Sequence, residues 1–166
     1  VSDSGNPKKV LIHRLNWFRP LSVNVTEVGN VGTGADDLIT YSMSGNTLGT
    51  NLDRLQIECS GQFAASANNK QLEFLLGDTV LFDSGTLAIT NAQWSFKGQI
   101  IREEQSVQKY HFIFTTWDGT TAATFVSRGG ATEDLSTTLV LKMRGTGTSN
   151  NDVVQETMSI DLVRAP

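Results

Sequence analysis

The chain has 166 residues, of which 39% are hydrophobic and only 18% are charged, and its formal net charge is −4. This length suits one domain, and the composition excludes a charge-rich disordered chain. The acidic balance argues against a nucleic-acid binder, which normally presents a basic face. No apolar run approaches the ~20 residues that span a bilayer. We therefore expect no direct contact with nucleic acid or with a membrane.

The first 20 residues differ from the rest of the chain because they combine cations with apolar and aromatic residues, and Pro20 ends the stretch. Two interpretations stay open. Residues 1–20 form either an N-terminal arm that packs on a neighbouring protein or a first strand of the sheet, and residues 21–166 form the domain. Arg and aromatic side chains often anchor interfaces. As an arm, the segment would bind a partner through Lys8, Lys9, Arg14, Leu15, Trp17, Phe18 and Arg19.

From Leu21 onward, short segments of alternating apolar and polar residues are separated by Gly, Asn and Asp. This pattern predicts about ten strands and no long helix. The predicted strands are 21–26, 38–43, 55–63, 72–76, 79–82, 94–102, 107–116, 121–126, 135–144 and 153–163. Such a series is typical of an all-β, two-sheet antiparallel sandwich of the jelly-roll type. Cys59, Trp94 and Phe96 occupy apolar positions of this pattern, so we expect them in the core.

Two turn segments of similar composition precede or follow predicted strands. Residues 66–70 read Ser-Ala-Asn-Asn-Lys, and residues 148–152 read Thr-Ser-Asn-Asn-Asp. The likeness is too short to indicate a duplication. It indicates the same turn chemistry used twice, in paired hairpins.

The residues that could support catalysis or bind a metal are few. His13 and His111 are the only histidines, and no nucleophile elbow, phosphate loop or dinucleotide motif occurs. Loop carboxylates are frequent, but none has the alternating spacing of a calcium loop, and Asp residues also cap turns through their own backbone. We expect no enzyme activity, no metal and no cofactor.

Trp117 and Asp118 lie with Gly119 at a predicted hairpin tip. An exposed tryptophan at such a tip could stack on a sugar ring, with the carboxylate of Asp118 beside it. The same side chain could instead close the end of the sandwich or a subunit interface. Both interpretations stay open.

Several segments resemble structural proteins of tailed bacteriophage virions. The first is LSVNVTEVGNVGTGADDL at residues 21–38, and the second is GQFAASANNKQL at residues 61–72. LFDSG at residues 81–85 and SNNDVVQE at residues 149–156 complete the likeness. The resemblance implies a β-sandwich module of the virion surface, usually trimeric and without catalytic residues. It does not include residues 1–20.

On this resemblance we expect a capsid cement or decoration protein, located on the outer capsid surface of the virion. It would bind the major capsid protein of the assembled shell as a homotrimer and stabilise the shell, because only the assembled state gains the binding free energy. The alternative is a tail-fibre or free carbohydrate-binding module that recognises cell-surface glycans through Trp117 and Asp118.

Overall fold

The computed structural model describes residues 18–166, in which every regular element is a β-strand. None of these residues belongs to a helix that could cross a membrane. The strands are β1 (Phe18–Asn24), β2 (Val28–Gly29), β3 (Gly34–Met43), β4 (Arg54–Phe63), β5 (Gln71–Leu76), β6 (Thr79–Asp83), β7 (Ala92–Glu104), β8 (Val107–Trp117), β9 (Ala122–Ala131), β10 (Leu139–Gly147) and β11 (Val153–Val163).

The strands form two antiparallel sheets. The large sheet has the order β1-β11-β4-β7-β8-β9, with the short β2 also paired to β11. The small sheet has the order β3-β10-β5-β6. Strands from the two ends of the described chain are neighbours in both sheets, as β1 pairs with β11 and β3 with β10. The predicted two-sheet antiparallel sandwich is confirmed.

The core forms where the apolar faces of the two sheets meet. In β4, Leu55, Ile57 and Cys59 are buried while the residues between them are not, because successive side chains of a strand point to opposite faces. The ring of Phe74 in the small sheet lies 5.0 Å from that of Phe96 and 5.2 Å from that of Phe112 in the large sheet. The expected burial of Cys59, Trp94 and Phe96 is confirmed.

Strand boundaries depart from the sequence prediction at a few places. The turn at 134–138 delays β10 to Leu139, since the carboxylate of Asp134 accepts hydrogen bonds from the amide and hydroxyl of Ser136. At the other end, Phe18, Arg19 and Pro20 belong to β1 and pair with Val163, Leu162 and Asp161. The expected arm residues Lys8, Lys9, Arg14, Leu15 and Trp17 lie outside the described residues.

The buried side-chain amide of Gln155 links the two sheets. β3 shifts its register against β10 next to Ile39, and the backbone amide of Ile39 donates instead to Oε1 of Gln155 in β11, at 2.9 Å. Gln155 is fully buried, and its Nε2 donates to the carbonyl of Thr157. This side chain satisfies a backbone donor that would otherwise be unpaired inside the core.

Candidate functional site

Trp117 belongs to a row of side chains on the outer face of the large sheet. Gln93 in β7 is directly opposite Gln62 in β4 and directly opposite Trp117 in β8. Neighbours in such a row have Cβ atoms about 5 Å apart. Trp117 is 51% exposed, so its indole ring is available to a ligand beside the two amides.

The turn after Trp117 is held by Asp118. Its Oδ1 atom accepts hydrogen bonds from the backbone amides of Thr120 and Thr121 and from the hydroxyl of Thr120. The hydrogen bonds from Thr121 and Thr120 hold the pKa of Asp118 below its ordinary value. Gly119 has φ +96°, a conformation that favours glycine. The tip that carries Trp117 is therefore fixed by its own turn chemistry.

Three adjoining depressions with volumes of about 230, 360 and 390 Å³ lie at this end of the sandwich, and Trp117 lines the first two. The first two share Gln93 and Trp117, and the first and third share Gln62 and Asn91. We call these depressions together the end groove. It runs from Asn151 across the row of Gln62 and Gln93 to Trp117.

The lining of the end groove is polar and carries no cation. Its carboxylates are Glu27, Asp118 and Glu156, and no Lys, Arg or His of residues 18–166 lines any of its three parts. Hydroxyl groups of Ser60 and Ser95 extend the surface beyond the amides. An exposed aromatic ring beside amides, hydroxyls and carboxylates can stack on the apolar face of a polyhydroxylated ligand and hydrogen-bond its hydroxyl groups.

The far wall of the groove is held by Asp152. Its Oδ2 accepts from the backbone amides of Thr148 and Ser149 and from Nδ2 of Asn68, and its Oδ1 accepts from Ser66. Asp152 is 1% exposed. The two turn segments that resemble each other in sequence, 66–70 and 148–152, therefore contact one another. Asn151 belongs to the second of these segments, lines the groove and adopts a left-handed φ of +60°.

Lys70 completes this cluster with a buried positive charge. Its ammonium group donates to the carbonyls of Ser66, Asn68 and Ile89 at 2.8, 2.9 and 3.0 Å, and the residue is 1% exposed. Burial lowers the pKa of Lys70, and the nearby charge of Asp152 opposes that shift. We call Ser66, Asn68, Lys70 and Asp152 the loop cluster. It ties the loop between β6 and β7, which leads to Asn91, to the turn that carries Asn151.

Acid should weaken the fold through two buried carboxylates. Burial alone raises the pKa of Asp152 and of Asp53, but the hydrogen bonds that each accepts outweigh it, so both pKa values lie below the ordinary one. Asp53 accepts from the amides of Thr50 and Ala165 and from Arg164. A carboxyl group whose pKa is lower in the folded state than in the unfolded state stabilises the fold at pH values above its unfolded-state pKa of about 4. This stabilisation is lost as the pH falls toward the folded-state pKa.

We therefore expect the melting temperature to fall steeply from pH 4 to pH 2, monitored by circular dichroism. The D152N variant should be less stable at pH 7 and show a shallower fall over the same interval. If wild type and D152N fell in parallel, Asp152 would not carry the acid sensitivity.

Other carboxylates are also engaged in hydrogen bonds or ion pairs, and of these Asp36 and Asp37 lie in β3. Asp36 accepts from the amide of Val31, Asp37 pairs with Lys142, and Glu133 accepts from the hydroxyl of Thr79. Within residues 18–166, no three His, Cys, Asp or Glu side chains are grouped so that they could hold a metal ion.

Those predicted site residues that fall within residues 18–166 lie in two separate places. Trp117 and Asp118 are in the end groove, whereas Phe18 and Arg19 are exposed on β1, at the other edge of the large sheet. The structure does not bring these two sets together. Gln62 and Gln93 were not predicted, because their position beside Trp117 depends on the register of β4, β7 and β8, and Asn91 is placed by the start of β7.

Comparison with known proteins does not assign this chain to a family. No family model and no curated protein matches the chain. Among solved structures, the CBM2 module of the evolved Dit of Lactobacillus casei BL23 phage J-1 has a TM-score of 0.35 at 9% identity, covering 90% of this chain and 97% of that one. The lectin UEA-II in complex with galactose has a TM-score of 0.37 at 8% identity, covering 88% and 91%. With such low TM-scores, neither likeness bears on function.

Proposed function

We propose that this protein is a non-catalytic carbohydrate-binding β-sandwich that binds a neutral glycan in the end groove. The observation that carries the proposal is the row Gln62, Gln93 and Trp117, in which an aromatic ring is 51% exposed beside two amides. The ring offers a stacking surface for a pyranose, and the amides can both donate to and accept from sugar hydroxyls.

The charges of the groove determine which glycans it accepts. Glu27, Asp118 and Glu156 are not balanced by any cation among the described residues that line it. Sialic acids, uronic acids and phosphorylated polymers would place a negative charge near these carboxylates, and like charges repel. Neutral hexoses and N-acetylhexosamines carry no such cost.

The state of Asp118 favours binding without catalysis. Its hydrogen bonds hold its pKa below the ordinary value, so the carboxyl group stays ionised at neutral pH. A general acid for glycoside cleavage needs a raised pKa, so that it carries a proton at that pH. Asp118 therefore stabilises the turn and can accept a hydrogen bond from a sugar hydroxyl.

A glycan array tests the proposal. We expect the wild-type protein to bind neutral glycans and to bind sialylated or uronate-containing ones at least 10-fold more weakly. The W117A variant should lose most binding, since a stacked aromatic ring contributes on the order of 2 kcal/mol to such interfaces. F18A is the matched control, because Phe18 is 56% exposed at the other edge of the sheet. Absence of any glycan binding, or equal binding by W117A, would contradict the proposal.

A second candidate function is attachment to a virion. Phe18 and Arg19, two of the residues expected to bind a capsid, are exposed on the edge strand β1. This exposure favours a contact with the major capsid protein through the N-terminal segment, as a homotrimeric cement or decoration protein. Co-sedimentation with assembled capsids tests it. Combined replacement of Lys8, Lys9 and Arg14 by alanine should abolish co-sedimentation without altering the melting temperature, and unchanged co-sedimentation would exclude this role for the segment.

A further inference from the structure

The four edge strands of the sandwich are protected to different degrees. An edge strand exposes unpaired backbone donors and acceptors, and proteins usually block them with proline, charge, bulges or covering groups. In the large sheet, β1 carries Pro20 and a register shift after it. In the small sheet, β3 carries Asp36 and Asp37 together with a register shift. β6 has only five residues, and the hydroxyl of Ser127 covers the carbonyl of Leu81.

β9 is the least protected of the four edge strands. It runs for ten residues, Ala122–Ala131, and pairs with β8 without a single register shift. It contains no proline and no acidic residue, and Arg128 is its only charge. Val126 is 60% exposed at its centre, next to the half-buried Ile113 of β8. β9 therefore has the features of a strand that pairs with another strand.

We propose that β9 pairs with β9 of a second copy of this chain, antiparallel and about a two-fold axis at Val126. Opposite residues of two paired strands point to the same face of the sheet. The two-fold axis must therefore set one residue opposite the same residue of the second copy. A two-fold at Val126 places Thr124 opposite Arg128 and Ala122 opposite Gly130. The two arginines are then four residues apart along the strands, roughly 14 Å, so like charges do not meet.

The nearest alternative register is less favourable. A two-fold at Ser127 would set each Arg128 opposite Val126 and bring the two arginines to diagonal positions roughly 7–8 Å apart. It would also place Ser127, whose hydroxyl donates to Leu81, at the axis. The axis at Val126 instead continues an apolar row across the interface, from Ile113 and Val126 to Val126 and Ile113 of the second copy.

The size of the contact is sufficient for a dimer. Nine residues of each β9, 122–130, would pair over ~31 Å, and the edge of a two-sheet sandwich is roughly 20 Å thick, so each copy would bury roughly 600 Å². Specific interfaces bury about 600–1,000 Å² per partner, so this contact lies at the lower end of that range. A second copy is the occupant that fits this edge, because β9 itself has small residues at both ends, Ala122 and Ala123 against Gly129 and Gly130, with bulky residues between.

Light scattering of the full chain tests the assembly state. We expect wild type to have a mass of twice 18.1 kDa at micromolar concentration. V126K should be monomeric, because two lysines would face each other at the axis, and its far-UV circular dichroism should be unchanged. V23K is the matched control, since Val23 is 71% exposed on the other edge strand, and it should remain a dimer. A wild-type monomer, or the trimer that the bacteriophage resemblance implies, would overturn the proposal.

Disulfide trapping tests the register independently of any folding defect. Opposite Cα atoms of an antiparallel pair lie about 4.5–5.5 Å apart, within the range that a disulfide spans. V126C should cross-link with itself under a mild oxidant, whereas T124C and R128C should cross-link only when mixed. Cys59 will not compete, because it is buried and burial raises the pKa of its thiol. Failure of V126C to cross-link, or equally fast cross-linking of V23C, would contradict the pairing.

Discussion

Replacement of Lys70 by methionine is expected to destabilise the protein by about 3 kcal/mol or more. The three carbonyls that accept from its ammonium group, those of Ser66, Asn68 and Ile89, would each lose a partner. Asp152 would keep its hydrogen bonds, but its buried carboxylate would lose the nearby positive charge of Lys70. Methionine keeps the length of the side chain, so the change isolates the charge and its hydrogen bonds.

Urea denaturation at pH 7 measures this effect. K97M is the control, because Lys97 is exposed on the outer face of the large sheet, and it should change the free energy of unfolding by less than about 0.5 kcal/mol. If K70M and K97M were equally stable, the loop cluster would not hold this end of the sandwich. The end groove would then be supported by the strands alone.

Replacement of Phe74 by alanine is expected to cost about 3–5 kcal/mol. Phe74 is fully buried in the small sheet and packs between Phe96 and Phe112 of the large sheet. Its removal leaves a cavity between the sheets, lined by rings that cannot collapse far because each belongs to a different hydrogen-bonded strand.

The same urea experiment measures this change, with F74L as the control. Leucine keeps much of the volume, so F74L should lose only a small part of that stability. A loss below about 1 kcal/mol in F74A would mean that the aromatic contacts do not hold the two sheets together.

Most strands could be predicted from the sequence because apolar and polar residues alternate locally within each of them. The pattern in Leu55, Ile57 and Cys59 places alternate side chains on one face, whichever strands lie beside them. β2, with only two residues, has no such pattern, and its pairing depends on Val154 and Gln155 far along the chain. Register and sheet order are long-range properties, so they became visible only in the structure.

The residues of the candidate site also differ in whether local sequence or long-range pairing reveals them. Trp117 and Asp118 could be identified from turn composition, but the amides beside them lie 24 and 55 positions earlier in the chain at Gln93 and Gln62. The likeness of segments 66–70 and 148–152 was visible in the sequence. Their contact was not, because the hydrogen bonds from Ser66 and Asn68 to Asp152 form only once the two turns are brought together.

The end groove is proposed to bind neutral glycans through the row of Gln62, Gln93 and Trp117. A two-dimensional ¹H–¹⁵N NMR titration with a neutral oligosaccharide selected from the array tests it most directly. We predict that the indole NH of Trp117 and the side-chain amides of Gln62, Gln93 and Asn91 shift together along one saturable curve. Amides of β1 should stay unchanged. Saturable shifts confined to other residues, with these four groups unmoved, would contradict the account.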